Sequence, residues 1–260
     1  MQITSTTNPQ FKIWKSLTTS KGIKENNRFF LMGEKLIAEF FDDLTGFAER
    51  GFKPEYLIFD KEISPLTIGK TGSDRAGVKT TQLSIELFKE LDVLGTKSPL
   101  LILTFNDFSV KNFEVPPQGL ELICPLGDPR NLGALIRSAA GFSVNQIVLT
   151  KESTHPFLPH SIKASAGAAL KIDFCKTALA IFEIPLVEAN FALALFGESI
   201  ASAAWPPNLR LWVGEEGPGL SLEHAQKKTM KFVNIPTKNI ESLNAMVSTS
   251  LALWEWKKQN

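Results

Sequence analysis

Asp128-Pro129-Arg130-Asn131-Leu132-Gly133-Ala134-Leu135-Ile136-Arg137 follows the apolar run Leu120-Glu121-Leu122-Ile123-Cys124, and this order of strand, polar turn and helix decides the fold of the second half of the chain. Further strand-like runs at 146–149, 209–213 and 231–235 alternate with helix-like stretches at 132–142, 161–169, 220–228 and 242–257. Such alternation predicts an α/β domain with a parallel sheet and helices on both faces. Ligand sites in open α/β sheets form at the C-terminal strand ends, so the polar turn after Leu120–Cys124 is a candidate site. Within it Asn131 has two readings, helix N-cap or ligand contact. Arg137 stands in an otherwise small and apolar helix, where burial without a partner would be costly, and it reads as an anion contact.

Two more strand ends share this character. Gly214-Glu215-Glu216-Gly217-Pro218-Gly219-Leu220 follows the strand-like Leu209-Arg210-Leu211-Trp212-Val213. It is neither GxGxxG nor a Walker sequence, and its two carboxylates would repel a pyrophosphate, so it suits a cation or hydroxyl and amine donors. Ile235-Pro236 leads to Glu241-Ser242-Leu243-Asn244, where Ser242 is placed to cap the terminal helix. Asn244, one turn inside a helix that asparagine does not favour, points to a side chain kept for a hydrogen bond. Three such strand ends in one half of a chain predict one shared site. Between them, the small-residue run Ser161–Ala168 reads as close helix packing. Gly197-Glu198-Ser199-Ile200-Ala201 lacks the second glycine of a nucleophile elbow. The three histidines have no helical zinc spacing, and no metal site is expected.

The first half reads as a smaller α/β domain over residues 1–106. Asn8-Pro9 opens an amphipathic helix, with Asn8 as N-cap. Arg28–Met32, Tyr56–Phe59 and Leu100–Phe105 read as strands, Glu34–Phe41 and Ser84–Leu91 as helices, and 71–77 as a loop. The polar stretch 107–119, closed by Pro116-Pro117, reads as a linker, leaving 120–260 as the second domain. In the terminal helix Leu243, Met246, Val247, Ser250, Leu251 and Trp254 mark one apolar side, with Trp256 outside it. Cys124 and Cys175 lie in apolar runs and read as buried free thiols. A net charge of +1 gives no global nucleic-acid footprint. The start, Met1–Thr7, shows no secretory signal, and no apolar run approaches the roughly 18 residues of a membrane span, so a cytoplasmic chain is expected.

Taken together, Asp128–Phe142, Gly214–Ser221 and Ile235–Ser248 resemble motifs 1, 2 and 3 of the SpoU-type RNA methyltransferases, a branch of the SPOUT superfamily. The resemblance covers Leu120 to Trp256. It implies S-adenosylmethionine-dependent methyl transfer to a ribose 2'-hydroxyl in tRNA or rRNA, a sheet whose C-terminal segment forms a trefoil knot, and a homodimer packed through the C-terminal domain. The first half is similar in layout to the RNA substrate-binding domain that often precedes this fold. The resemblance also implies cofactor held by backbone at Gly214, Ile235 and Leu243. It further places Asn131, Arg137, Glu216, Ser242 and Asn244 at active-site positions. A non-catalytic RNA-binding or assembly protein of the same fold is the alternative. A Rossmann-type enzyme is disfavoured by the missing glycine fingerprint. The chain departs from the common pattern at Ser143, Pro218, Thr237 and Ala245-Met246, none of which removes a catalytic side chain.

Overall fold

The structure is a computed structural model that describes residues 2–62, 77–186, 189–214, 220 and 229–260. The chain divides into two compact units, Met1–Asp107 with His155–Leu170, and Phe108–Thr154 with Lys171–Asn260.

In the first unit β1 (Gln2–Ile3), α1 (Pro9–Ser16), α2 (Ser20–Asn26), β2 (Arg28–Met32), α3 (Glu34–Asp42), α4 (Leu44–Glu49), β3 (Lys53–Phe59), β4 (Lys79–Leu83), α5 (Ile85–Leu91) and β5 (Leu100–Thr104) follow one another. Its sheet has the order β1-β4-β3-β5-β2. The Asn8 side chain accepts from the N–H groups of Gln10 and Phe11, so α1 starts where the Asn-Pro pair predicts. Phe11, Trp14 and Leu17 then pack with Leu87, Phe88 and Leu91 against Phe30 and Ile102. Phe29, next in the strand to Phe30, points to the other face. There it stacks on Phe157 at 4.5 Å between ring centroids, and Phe52 and Phe105 meet the same ring. The run 155–170, with its short helix Pro159–Ser165, therefore completes this unit rather than the second half, to which its position in sequence assigned it.

The second unit contains β6 (Ser109–Val110), β7 (Leu120–Cys124), α6 (Pro129–Gly141) and β8 (Gln146–Leu149). After α7, the helix Pro159–Ser165 just described, come β9 (Phe174–Lys176), β10 (Asn190–Ser199), β11 (Leu209–Trp212), β12 (Lys231–Asn234) and α8 (Ala245–Gln259). Its strands form a seven-stranded sheet, β12-β10-β11-β7-β8-β9-β6, and every pairing is parallel. The fold class expected of the sequence is the one observed. β7 is buried along its whole length, as a central parallel strand must be.

The stretch 107–119 differs from its reading as a spacer. β6 pairs with β9, and Phe113 enters the core of the second unit. Its anchors are polar and therefore escaped a hydrophobicity pattern. Arg210 on β11 lies in register with Glu121 on β7 and donates to its carboxylate at 3.0 Å, and to the Phe113 carbonyl at 3.2 Å. Lys111 bonds the other Glu121 oxygen and reaches Gln146 at 3.2 Å. Arg210 and Glu121 are buried and Lys111 is half-buried at the N-terminal end of the sheet, where such charges persist only if paired and hydrogen-bonded.

Cys124 and Cys175 are buried free thiols, as expected, and desolvation pushes each up to about 12. For Cys175 it outweighs the opposing pull of Lys111 and Arg210.

The terminal helix buries a different side from the one its apolar residues marked. Met246, Thr249, Ala252, Leu253 and Trp256 face inward, and the Trp256 indole donates to the Pro206 carbonyl at 3.0 Å. Val247, Leu251 and Trp254 are exposed, at 49%, 38% and 51%. Apolar residues on two sides of α8 leave its phase undetermined by periodicity alone. Among the described residues no helix is long and apolar enough to cross a membrane. Most of the helix expected at 220–228 and of the loop at 71–77 lies outside the described residues.

Candidate active site

The first motif opens on β7. Pro129 occupies the first turn of α6, which makes the preceding residue the N-cap. The Asp128 carboxylate fills that role, accepting from the N–H groups of Arg130 at 2.8 Å and Asn131 at 2.9 Å. Asn131 is thus not the cap, and its half-buried side chain has no hydrogen-bond partner among the described residues.

Arg137 lies two turns further along and is exposed. The expected cost of burying it does not arise, and no carboxylate pairs with it among the described residues. Arg130 stands seven positions before Arg137, hence on the same face and about 10 Å back along the axis. It too is exposed and unpaired among the described residues, and sequence reasoning passed it over.

The third motif is also capped differently from expectation. Asn244, not Ser242, is the N-cap of α8, and its side-chain oxygen accepts from Met246 N–H at 2.9 Å and Val247 N–H at 3.4 Å. Ser242 is exposed two residues upstream. The loop between β12 and α8 is closed by the Thr237 hydroxyl, which donates to the Ile240 carbonyl at 2.9 Å.

Two contacts fix α8 against α6. The Ser250 hydroxyl meets that of Ser138 at 2.8 Å, and the Trp254 ring lies 6.1 Å from that of Phe142. Both pairs are separated by 112 residues, so the helices run side by side in the same direction. Carried back along both helices, the same offset sets Asn244 level with the first turn of α6. The structure thus brings the starts of motifs 1 and 3 together at one end of the sheet, with both helix N-termini, and their positive dipole ends, at that edge. Arg137 is about 9 Å along the axis from Asn131. Glu216 lies outside the described residues. Ser138 and Ser250, which set this alignment, carried no signal beyond being small polar residues in an apolar helix.

Gly214, Ile235 and Leu243 are half-buried. Gly214 and Ile235 follow the last ladder pairs of β11 and β12, which end at Trp212 and Asn234, so the sheet does not consume their backbone groups. Leu243 precedes the α8 cap. Among the described residues no cluster of three His, Cys, Asp or Glu side chains is placed to hold a metal ion.

Residues 122–254 match the SpoU rRNA Methylase family. The chain belongs to this family. Across 258 residues it is 30% identical to the ribosomal RNA small subunit methyltransferase G 2 of Syntrophobacter fumaroxidans, covering 99% of this chain and 49% of that one. It thus spans about half the length of that relative. The RlmP protein of Bacillus subtilis, named a 23S rRNA (guanosine(2553)-2'-O)-methyltransferase, is 24% identical over 97% of this chain and 98% of its own. The crystal structure of the SpoU methyltransferase AviRb from Streptomyces viridochromogenes, in complex with AdoMet, superposes with a TM-score of 0.75 at 19% identity. It covers 97% of this chain and 98% of that one, and the fold is shared.

SpoU methylases use S-adenosylmethionine. The strand ends here suit it. They offer unspent backbone groups with half-buried apolar side chains at Ile235 and Leu243, which match a purine and a thioether chain.

Proposed function

We propose that the chain transfers a methyl group to a ribose 2'-hydroxyl of rRNA or tRNA. The reading is supported most by the registered packing of α6 and α8, whose N-termini, where motifs 1 and 3 begin, meet at the end of the sheet with the half-buried strand ends. The cofactor supplies a methyl group on a positively charged sulfur. The backbone of Gly214, Ile235 and Leu243 holds it. Asn131, Glu216, Ser242 and Asn244 set the approach of the ribose. Arg137 anchors the target phosphate and stabilises the alkoxide that develops on the hydroxyl oxygen. It is not the base, because a guanidinium stays protonated at any working pH.

The exposed row Val247, Leu251 and Trp254 on α8 is a surface for a second copy of the chain, joined through the second unit. A cytoplasmic enzyme acting on RNA fits this reading.

Purified protein incubated with unmodified bulk rRNA and a methyl-labelled donor tests the chemistry. Digestion to nucleosides is expected to release label only as 2'-O-methyl nucleosides, and alkaline hydrolysis to leave it in resistant dinucleotides. Label on a base would overturn the ribose assignment, and no incorporation despite donor binding would favour the non-catalytic alternative. Trp254→Glu is expected to convert a dimer to a monomer in sedimentation. A wild-type monomer would remove the proposed interface.

A further inference from the structure

β10 carries an irregularity that the methyl-transfer reading does not use. Its ladder with β12 runs from Phe191↔Lys231 to Leu193↔Val233 and resumes only at Glu198↔Val233, so Ala194–Gly197 bulge out of the sheet. The bulge is built rather than loose. Gly197 has φ +112°, and a Cβ there would come within 2.3 Å of the Phe232 carbonyl oxygen, so this turn requires glycine. The Asn234 amide donates to the Gly197 carbonyl at 3.2 Å and pins it. The result turns Leu195 and Phe196 outward, 62% and 60% exposed, with the Phe196 ring backed by Phe232 at 4.8 Å.

The place matters as much as the exposure. β10, β11, β12 and β7 are parallel, so the bulge near the end of β10 lies at the sheet edge that carries Gly214, Ile235 and the start of α6. The same edge bears Arg130, Lys151 after β8, and Lys238 after β12, all exposed and unpaired with carboxylates among the described residues. Glu198, the acid of the bulge, is paired with Lys231 at 3.3 Å. An aromatic face amid unspent cations is the combination that binds single-stranded nucleic acid, where bases stack and phosphates meet positive charge.

We propose that Phe196 is a stacking platform for a nucleobase of the RNA substrate, next to the transfer site. The proposal rests on the RNA-methyltransferase reading but not on the ribose assignment. Phe232 holds the ring from behind, Gly197 and Asn234 fix its angle, and the cations at the edge take the flanking phosphates.

The test compares two probes, a uridine decamer and a base-free ribose-phosphate decamer, on the full chain and on Phe196→Ala and Phe196→Trp. Wild-type protein is expected to prefer the uridine decamer by about tenfold, the range for one stacked base. Phe196→Ala is expected to lose that preference and Phe196→Trp to keep it, with S-adenosylmethionine affinity within about twofold in each. An unchanged preference in Phe196→Ala would overturn the platform. So would an equal loss of cofactor affinity, which would assign the ring to the cofactor's purine, or a change confined to oligomeric state, which would assign it to a subunit contact. Because only equilibrium binding is read, the site of methylation does not enter, and failure here leaves the ribose assignment to its own assay.

Discussion

At the N-terminal end of the seven-stranded sheet the buried Arg210 and the half-buried Lys111 both bond to the buried Glu121. At the C-terminal end Arg130 and Lys238, with Arg137 about 10 Å back along α6, are exposed and, among the described residues, unpaired. The same fold thus handles charge in two ways, and desolvation explains the difference. A buried cation without its anion is unstable by several kcal/mol, so at the first end the partners are fixed within the chain. At the second end water solvates each charge, and a phosphate can replace that water without breaking an internal pair. One end should therefore answer to mutation in stability and the other in catalysis.

Glu121→Ala offers the largest effect, because it leaves the buried Arg210 and the half-buried Lys111 without a carboxylate. A loss of about 3–5 kcal/mol is expected in urea unfolding. Methyl transfer per folded molecule should stay at the wild-type level. A loss below about 1 kcal/mol, the scale of a surface pair, would mean that the network is hydrated and that the contrast between the ends is false.

Next comes Arg137→Ala, which should reverse the pattern. Transfer is expected to fall by about 10²–10³-fold, the scale for losing one preorganised charge-stabilising donor. Stability should move by less than about 0.5 kcal/mol, as for an exposed side chain. Arg137→Lys sharpens the result. Lysine keeps the charge without the planar fork, so near-wild-type transfer with unchanged RNA binding would show that the site needs a cation but not a guanidinium.

The two ends also differed in how far the sequence revealed them. The parallel sheet was legible because β7, β8, β11 and β12 are short apolar runs, each followed by a turn. β10 was not, since its bulge breaks the alternation on which strand recognition depends. The placement of 155–170 in the first unit was hidden because Phe157 meets partners more than 50 residues away, and no local pattern encodes that. At the candidate site, residue types and spacing picked out Asn131, Arg137 and Asn244. Which of them capped a helix was decided by geometry that Pro129 imposes at one end and the loop from β12 imposes at the other. The ionic network at the N-terminal end left no trace, for Glu121 and Arg210 are 89 residues apart and read singly as interruptions of apolar strands.

At the C-terminal end Asn244 carries the smallest expected effect on transfer and tests whether one residue serves both roles. As an N-cap it satisfies two backbone donors at the start of α8. Asp128 does the same for α6 through Arg130 and Asn131. Asn244→Ala and Asp128→Ala should each cost about 1 kcal/mol in unfolding. If capping were all that Asn244 did, the two variants would lose similar amounts of transfer. Asn244→Asp separates the roles more cleanly. A carboxylate still accepts from Met246 and Val247 and suits the positive end of the helix, so stability should equal or exceed that of the wild type. It has no N–H to donate, however, and it sets a negative charge where a phosphate would approach. Transfer is therefore expected to drop by about tenfold or more, the worth of one hydrogen bond to a charged group. A stable Asn244→Asp enzyme with undiminished transfer would return Asn244 to the structural side of the comparison and leave Asn131 and Arg137 to carry the ribose and its phosphate.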